Sequence, residues 1–207
     1  MPRVLLILVI VLVATLSAGL TGCLQKRKPG LDVAPTPTAT GHVAISKAKT
    51  QYTDALTKAK DWQSNATLSR VYRQFQGTLN PGQPTLTFAF ASLADPKQSF
   101  GVTFKGDNLS THKSGKQPFE LGFTPIDVSQ WNIDPDTALQ TAEHEGGQAF
   151  REQHLAGYTL LQQLATDTGH PLQWYFRYDT GDGSKKRYEV YVNAATGVVD
   201  LKREVTQ

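Results

Sequence analysis

Six pairs of residues, each separated by 88 positions, constrain this chain more than any other feature. Leu86, Phe88 and Phe90 alternate along TLTFAFA, and Phe100, Val102 and Phe104 alternate along SFGVTFK. Trp174, Phe176 and Tyr178, followed by Tyr188, Val190 and Val192, stand 88 residues further on without a gap. The segments between the strands, SLADPKQ and TGDGSKK, are equal in length. Alternation at period two marks strands with one buried face, and the Pro, Gly and Asp between them mark hairpin turns. A hairpin repeated in register at fixed spacing predicts two copies of one antiparallel unit.

Each hairpin has a helix upstream. SKAKTQYTDALTKAKDW places Ala48, Tyr52, Ala55, Ala59 and Trp62 at three- and four-residue spacings, one apolar stripe over several turns. NIDPDTALQTAEHEGGQAFREQ is the second helical segment. Asp134 is its expected N-cap, Pro135 suits the first helical position, and an acidic first turn complements the dipole. Asp54-Ala55-Leu56 sits in the first helix much as Thr137-Ala138-Leu139 sits in the second. LSRVYRQF and YTLLQQLA read as a further strand in each half, although Leu68, Val71, Tyr72 and Phe75 also fit a helical spacing.

Each half is therefore helix–strand–strand–strand. A helix followed by an antiparallel meander buries its stripe on one sheet face, an α+β arrangement. The expected fold is two tandem units with antiparallel sheets, residues 42–110 and 131–207, joined by a connector at 111–130. Units of about 70 residues are marginal alone, so the two are expected to pack together.

The end of the second unit, Tyr188-Glu-Val-Tyr-Val-Asn-Ala-Ala-Thr-Gly-Val-Val-Asp200, resembles the closing strand and turn of PepSY domains. There, a strand ending in a small polar residue enters an Asp/Asn-Ala-x-Thr-Gly turn followed by Val. The Asp-Thr-Ala-Leu helix start and the Trp-x-Phe strand are also similar to that family, so the resemblance covers residues 131–203. In the first unit the closing turn reads Lys105-Gly106-Asp107-Asn108-Leu109, without the Ala and Thr-Gly. The resemblance implies a non-catalytic domain of envelope proteins and metallopeptidase propeptides, one that modulates peptidases. It passes no active-site role to any residue.

The N-terminus carries a different signal. After Met-Pro-Arg comes VLLILVIVLVATLSAGLTG, then Cys23. A short basic start, an apolar stretch and small residues have the order of an export signal. Leu20-Thr21-Gly22-Cys23 resembles the lipobox of bacterial lipoproteins. That resemblance implies cleavage between Gly22 and Cys23, diacylglycerol on the Cys23 thiol, and acylation, typically by palmitate, of the new amino terminus. Two or three acyl chains hold a protein to a membrane where one holds marginally. Residues 1–22 are then a signal peptide and residues 23–41 a lipidated Pro/Thr-rich tether, placing the domain outside the cytoplasm. Lys26-Arg27-Lys28 pull against this, since basic residues after an apolar run favour a cytoplasmic side. The uncleaved anchor is the competing reading; the complete LTGC motif favours the lipoprotein.

Charge and cysteine content narrow the partners. Without residues 1–22, 20 Lys+Arg face 18 Asp+Glu, too even a balance to argue for nucleic acid. One Cys in the whole chain excludes an internal disulfide and any multi-thiolate metal site. No cofactor is expected. Ser46-Lys47-Ala48-Lys49 and Lys113-Ser114-Gly115 match penicillin-recognising elements, but the Ser-Asp-Asn element is missing. His144-Glu145-Gly146-Gly147-Gln148 has Gln where a zincin needs its second imidazole, and reads instead as a polar helix face loosened by two glycines. Asp179-Thr-Gly-Asp182-Gly183 has turn chemistry rather than a calcium loop's carboxylates.

The expectation is a non-enzymatic, membrane-tethered binding or regulatory module, with a protein or peptide partner that includes peptidases. Envelope scaffolding is the alternative, and a hydrolase built on Ser46 and Lys49 the remote one.

Overall fold

The computed structural model describes residues 47–77, 79, 84–95, 97–115, 124–154, 157–166 and 169–206. Gly22, Cys23, the tether at 23–41 and Ser46 lie outside the described residues.

The alternating segments fold as the period-two pattern dictates. Helix α1 (Lys47–Trp62) is followed by strands β1 (Thr67–Gln76), β2 (Leu86–Ala91), β3 (Ser99–Lys105) and β4 (Asn108–Ser114). A 3-10 turn (Val128–Gln130) leads to α2 (Pro135–Ala142), a π-helical turn (Glu143–Gly147) and α3 (Gln148–Gln153). Strands β5 (Tyr158–Ala165), β6 (Gln173–Thr180), β7 (Lys186–Asn193) and β8 (Val199–Thr206) complete the chain. LSRVYRQF and YTLLQQLA are strands: Val71, Arg73 and Phe75, like Leu160, Gln162 and Leu164, are buried at every second residue, and a helix cannot put i and i+2 on one face.

The 88-residue spacing is carried into the register. Leu86, Phe88 and Phe90 pair with Phe104, Val102 and Phe100; Trp174, Phe176 and Tyr178 pair with Val192, Val190 and Tyr188. Helix packing follows the same offset. Trp62 stacks on Phe100 at 5.3 Å between ring centres, and Phe150 stacks on Tyr188 at 5.7 Å. Both members of the second pair stand 88 positions after those of the first.

Two expectations need correction. The sequence pattern predicts three strands in each half; each has four, with β4 and β8 added at the outer edges. β4 is exposed along its whole length and has no apolar alternation; β8 is exposed except at Val199 and Val205, and its charged residues mask the period. β4 also runs across residue 110, into the segment read as connector. Further, the halves do not form separate antiparallel sheets packed together. β1 pairs antiparallel with β5, giving one eight-stranded sheet in the order β4-β3-β2-β1-β5-β6-β7-β8.

Both helical segments lie on one face of this sheet. Tyr52 of α1 meets Phe88 and Trp131, Trp131 meets Trp174, and Phe150 of α3 meets Tyr178. Their strand partners all point to the same side by register. Ala55 and Ala59 in α1, and Ala138 and Ala142 in α2, are fully buried where the helices approach the strands. The indoles of Trp131 and Trp174 both donate to the Ile133 carbonyl oxygen at 2.9 Å, fixing the entry to α2. Asp134 caps α2, its Oδ1 accepting from the Asp136 N–H at 2.9 Å, and Pro135 follows at the first position.

Candidate functional site

The sheet's second face carries no described helix. Its residues are those out of phase with the core. Along one row lie Tyr72, Gln163, Tyr175, Tyr191 and Leu201, direct cross-strand partners from β1 to β8. The next row holds Gln74, Leu161, Arg177, Glu189 and Arg203, and the row beyond it Gln76, Thr159, Asp179, Arg187 and Val205. Most of these side chains are half-buried, and Leu201 is 44% exposed.

Glu189 anchors the charged part of this face. It is buried, and Arg203 Nε donates to its Oε2 at 2.8 Å while the Tyr175 hydroxyl donates to its Oε1 at 2.9 Å. Arg187 Nη1 lies 3.5 Å from the same Oε1. Burial alone would raise the Glu189 pKa; the hydrogen bonds from Arg203, Tyr175 and Arg187 outweigh it and hold the carboxyl below the usual range. Asp179 accepts from Arg177 Nε at 2.7 Å and from Arg187 Nε at 3.0 Å. Each carboxylate thus orients two guanidiniums. Tyr175 and Tyr191 lie 4.8 Å apart, and Arg70 sits over the Tyr72 ring at 4.8 Å. Tyr and Arg are the side chains that most often anchor protein interfaces, being large, stiff and able to hydrogen-bond at the tip.

On β2 and β3 the same face is built from Thr87, Ala89, Ser99, Gly101 and Thr103, with Gly101 beneath the His112 ring of β4. The chemistry of this face is therefore concentrated on β5 to β8 and adjoining β1.

Both sheet edges are bare of described partners. β4 reads NLSTHKS, with Lys113 its one Lys, Arg, Asp or Glu, and every residue is exposed. β8 carries Asp200, Lys202, Arg203 and Glu204, and a register irregularity between Tyr191 and Val192 interrupts its pairing with β7. Charges and irregularities blunt β8 against adding another strand, and β4 has fewer such defences.

The helix side holds two polar networks. At the sheet's middle, Arg73 Nε donates to Gln162 Oε1 at 2.6 Å, and its Nη2 donates to Asp136 Oδ1 at 2.7 Å. Under the second helix, the Tyr178 hydroxyl donates to Glu143 Oε1 at 2.8 Å, and Arg151 pairs with the same carboxylate. The Tyr188 hydroxyl donates to the Glu145 backbone oxygen at 2.8 Å.

The sequence motifs fall apart from one another. HEGGQ forms the π-helical turn and its exit; Gly146 has φ 122, and His144 points to solvent with its side chain 88% exposed. Asp182 lies in the β6–β7 turn, accepts the Ser184 N–H at 2.9 Å and lies 3.1 Å from His154 Nδ1. Lys49 lies in the first turn of α1, while Lys113 and Ser114 end β4. Among the described residues, no group of three or more His, Cys, Asp and Glu is arranged to hold a metal ion. No described helix is long and apolar enough to cross a membrane.

Alternation assigns the rings at 174, 176, 178 and 188 to the core; the first three are fully buried there and Tyr188, half-buried, packs against it. It passed over Tyr175 and Tyr191, although being out of phase with those rings was the available signal.

No protein-family model matches the chain, and no curated protein matches it. Among solved structures, a chain from Clostridium difficile 630 described provisionally as a lipoprotein is similar. The identity is 16% with a TM-score of 0.46, covering 74% of this chain and 92% of that one.

Proposed function

We propose that this protein is a membrane-tethered, non-catalytic module that binds an extracytoplasmic protein or peptide through the face bearing Tyr72, Tyr175, Tyr191, Arg177 and Arg203. The observation that carries this reading is the contrast between the two sheet faces. One is filled by helices; the other presents aromatic and guanidinium side chains held in place by Glu189 and Asp179 with no described element over them. Orienting side chains before binding lowers the entropy lost when a partner docks.

The tether belongs to the same proposal. Cleavage after Gly22 and lipidation of Cys23 would leave the Pro/Thr-rich segment 23–41 between lipid and domain, outside the cytoplasm. The tandem PepSY-like reading also belongs here. It draws on the Asn-Ala-Ala-Thr-Gly motif, the Asp-Thr-Ala-Leu helix start and the Trp-x-Phe strand, on the matched registers, and on the closing turn. There Asn193 Oδ1 accepts the N–H groups of Ala195 and Thr196 at 3.0 and 3.1 Å, and Gly197 takes φ 77. A peptidase is the partner class that this resemblance favours.

The test is capture from envelope extract with the full-length chain against the double variant Tyr191→Ala, Arg203→Glu. A partner held by the parent and lost by the variant, at equal folding, supports the reading. Capture unaffected by the variant removes the face from it. Mass spectrometry of the mature N-terminus checks the anchor separately: an N-terminal Cys23 carrying thiol-linked diacylglycerol is expected, and an intact Met1 contradicts it.

A further inference from the structure

On the helix side, a cleft of about 350 Å³ opens between the start of α1 and the start of α2. Ala48, Leu86, Phe104 and Pro135 give it apolar walls, and Arg73, Lys47 and Asp136 bring charge to it. Its volume suits a small ligand or one terminal residue of a chain rather than a folded partner.

Arg73 is the unusual member. It is 6% exposed on the sheet face where its neighbours Val71 and Phe75 are core. Among the described residues the only other buried charge is Glu189, on the opposite face. An apolar pair across β1 and β5 would hold this seam as well as a buried guanidinium, which must be desolvated and paired. Fold stability therefore gives no reason for a cation here.

Its two partners differ in kind. Gln162 is fully buried, lies directly opposite Arg73 in the register, and donates its own Nε2 to the Pro135 carbonyl at 2.6 Å. That amide fixes the Nε edge of the guanidinium from beneath. Asp136 meets Nη2 at 2.7 Å, yet its side chain is 57% exposed at the lip of the cleft. One partner is permanent and the other can swing into water. Lys47 repeats the arrangement at the rim, 65% exposed and joined to Asp107, itself 92% exposed, at 2.8 Å.

We propose that this cleft binds a carboxylate carried on a small apolar group. The incoming carboxylate replaces Asp136 on Arg73, and its apolar body lies against Ala48, Leu86 and Phe104. Asp136 then acts as an internal competitor that occupies the guanidinium while the cleft is empty. Two sources share this chemistry, the C-terminus of a peptide and a free small carboxylic acid.

The experiment is calorimetric titration of the full-length chain in detergent with three probes. These are N-acetyl-alanyl-leucine, its C-terminal amide, and 4-methylpentanoate. Saturable binding of an acid is expected, with the amide weaker by about ten-fold or more because it cannot supply the charge. Asp136→Asn is expected to tighten acid binding several-fold by removing the competitor, and Arg73→Gln to abolish it. Arg73→Gln can fail to fold, so Asp136→Asn carries the decision by itself. Tighter binding of the peptide acid assigns the peptide terminus as the source; tighter binding of 4-methylpentanoate assigns the free acid. The proposal is overturned by an amide as good as its acid. It is equally overturned by weaker acid binding to Asp136→Asn, or by no saturable binding of either acid in the millimolar range to parent and variant.

Discussion

Tyr178 and Tyr188 stand 88 positions after Phe90 and Phe100, and each differs from its counterpart by one hydroxyl. Those two oxygens meet the one helical segment that is broken. The Tyr178 hydroxyl bonds Glu143 and the Tyr188 hydroxyl bonds the Glu145 backbone, while α1 over Phe90 and Phe100 runs uninterrupted. Burial first, and the Glu143 carboxylate second, hold the Tyr178 phenol well above the ordinary tyrosine range, so it stays a donor. Tyr178→Phe should cost about 1–3 kcal/mol in urea unfolding, because Glu143 loses a buried donor and keeps only Arg151. An unchanged midpoint would mean the hydroxyl is incidental to the kink.

Glu189 gives a residue-level prediction in pH. Its carboxyl is held below the ordinary range, so the unfolded chain takes up a proton at Glu189 more readily than the folded one. The stabilisation is complete above the unfolded pKa of about 4.3 and is lost as pH falls through the lower folded value. Glu189→Gln should lower stability at neutral pH by about 1.5–3 kcal/mol and flatten the decline below about pH 4.5. Thermal melts of parent and variant across that range test it; parallel curves would show that Glu189 does not carry the effect.

At the scale of elements, the broken helix accounts for a mismatch in spacing. Ala55 and Ala59 of α1 match Ala138 and Ala142 of α2 at 83 positions, whereas Trp62 matches Phe150 at 88. The π-helical turn Glu143–Gly147 holds the five residues that separate these offsets. Glycine is needed there for two reasons. Gly146 has φ 122, and a Cβ on Gly147 would lie 2.3 Å from the Tyr178 hydroxyl and 2.9 Å from the Ala142 backbone oxygen. Gly101 gives the control: the atoms nearest its Cβ would be those of the His112 ring, an exposed side chain that can rotate away. Gly147→Ala should cost about 1–3 kcal/mol and Gly101→Ala under about 1, measured by chemical denaturation. Equal costs would contradict the packing described for the kink.

The same scale shows what could be read in advance. The hairpins β2–β3 and β6–β7 were legible because large apolar side chains alternate along each strand with smaller or polar ones, even on β2, where both faces are buried. Pro135 and the two glycines marked the start and the weak point of the second helix. β4 was not legible, since a strand wet on both faces has no period to find, and in β8 four charged residues leave only Val199, Leu201 and Val205 as a trace of one. The β1–β5 pairing that joins the halves, the hydroxyl contacts to the kink and the Arg73–Gln162 pair all join segments distant in sequence. No local pattern encodes such a partner. Tyr175 and Tyr191 were visible as letters, but their significance depends on which sheet face the helices leave open.

Across the whole molecule, the described residues belong to one unit, Val43–Gln207, with the β1–β5 seam at its centre. A sheet continuous through that seam and one core beneath both helical segments should unfold in a single step. Leu160→Ala, at the seam, should lower stability by about 2–5 kcal/mol and shift tryptophan fluorescence and far-UV circular dichroism together. Separate transitions would mean that the halves are independent.

The central claim concerns which side of this sheet faces a partner. The most direct measurement is photo-crosslinking in intact cells, with a photoreactive amino acid replacing Tyr191 on the open face or Lys58 on the exposed side of α1. The account predicts a discrete crosslinked adduct from position 191 and none from position 58. Adducts from 58 alone, or the same adducts from both positions, would contradict it.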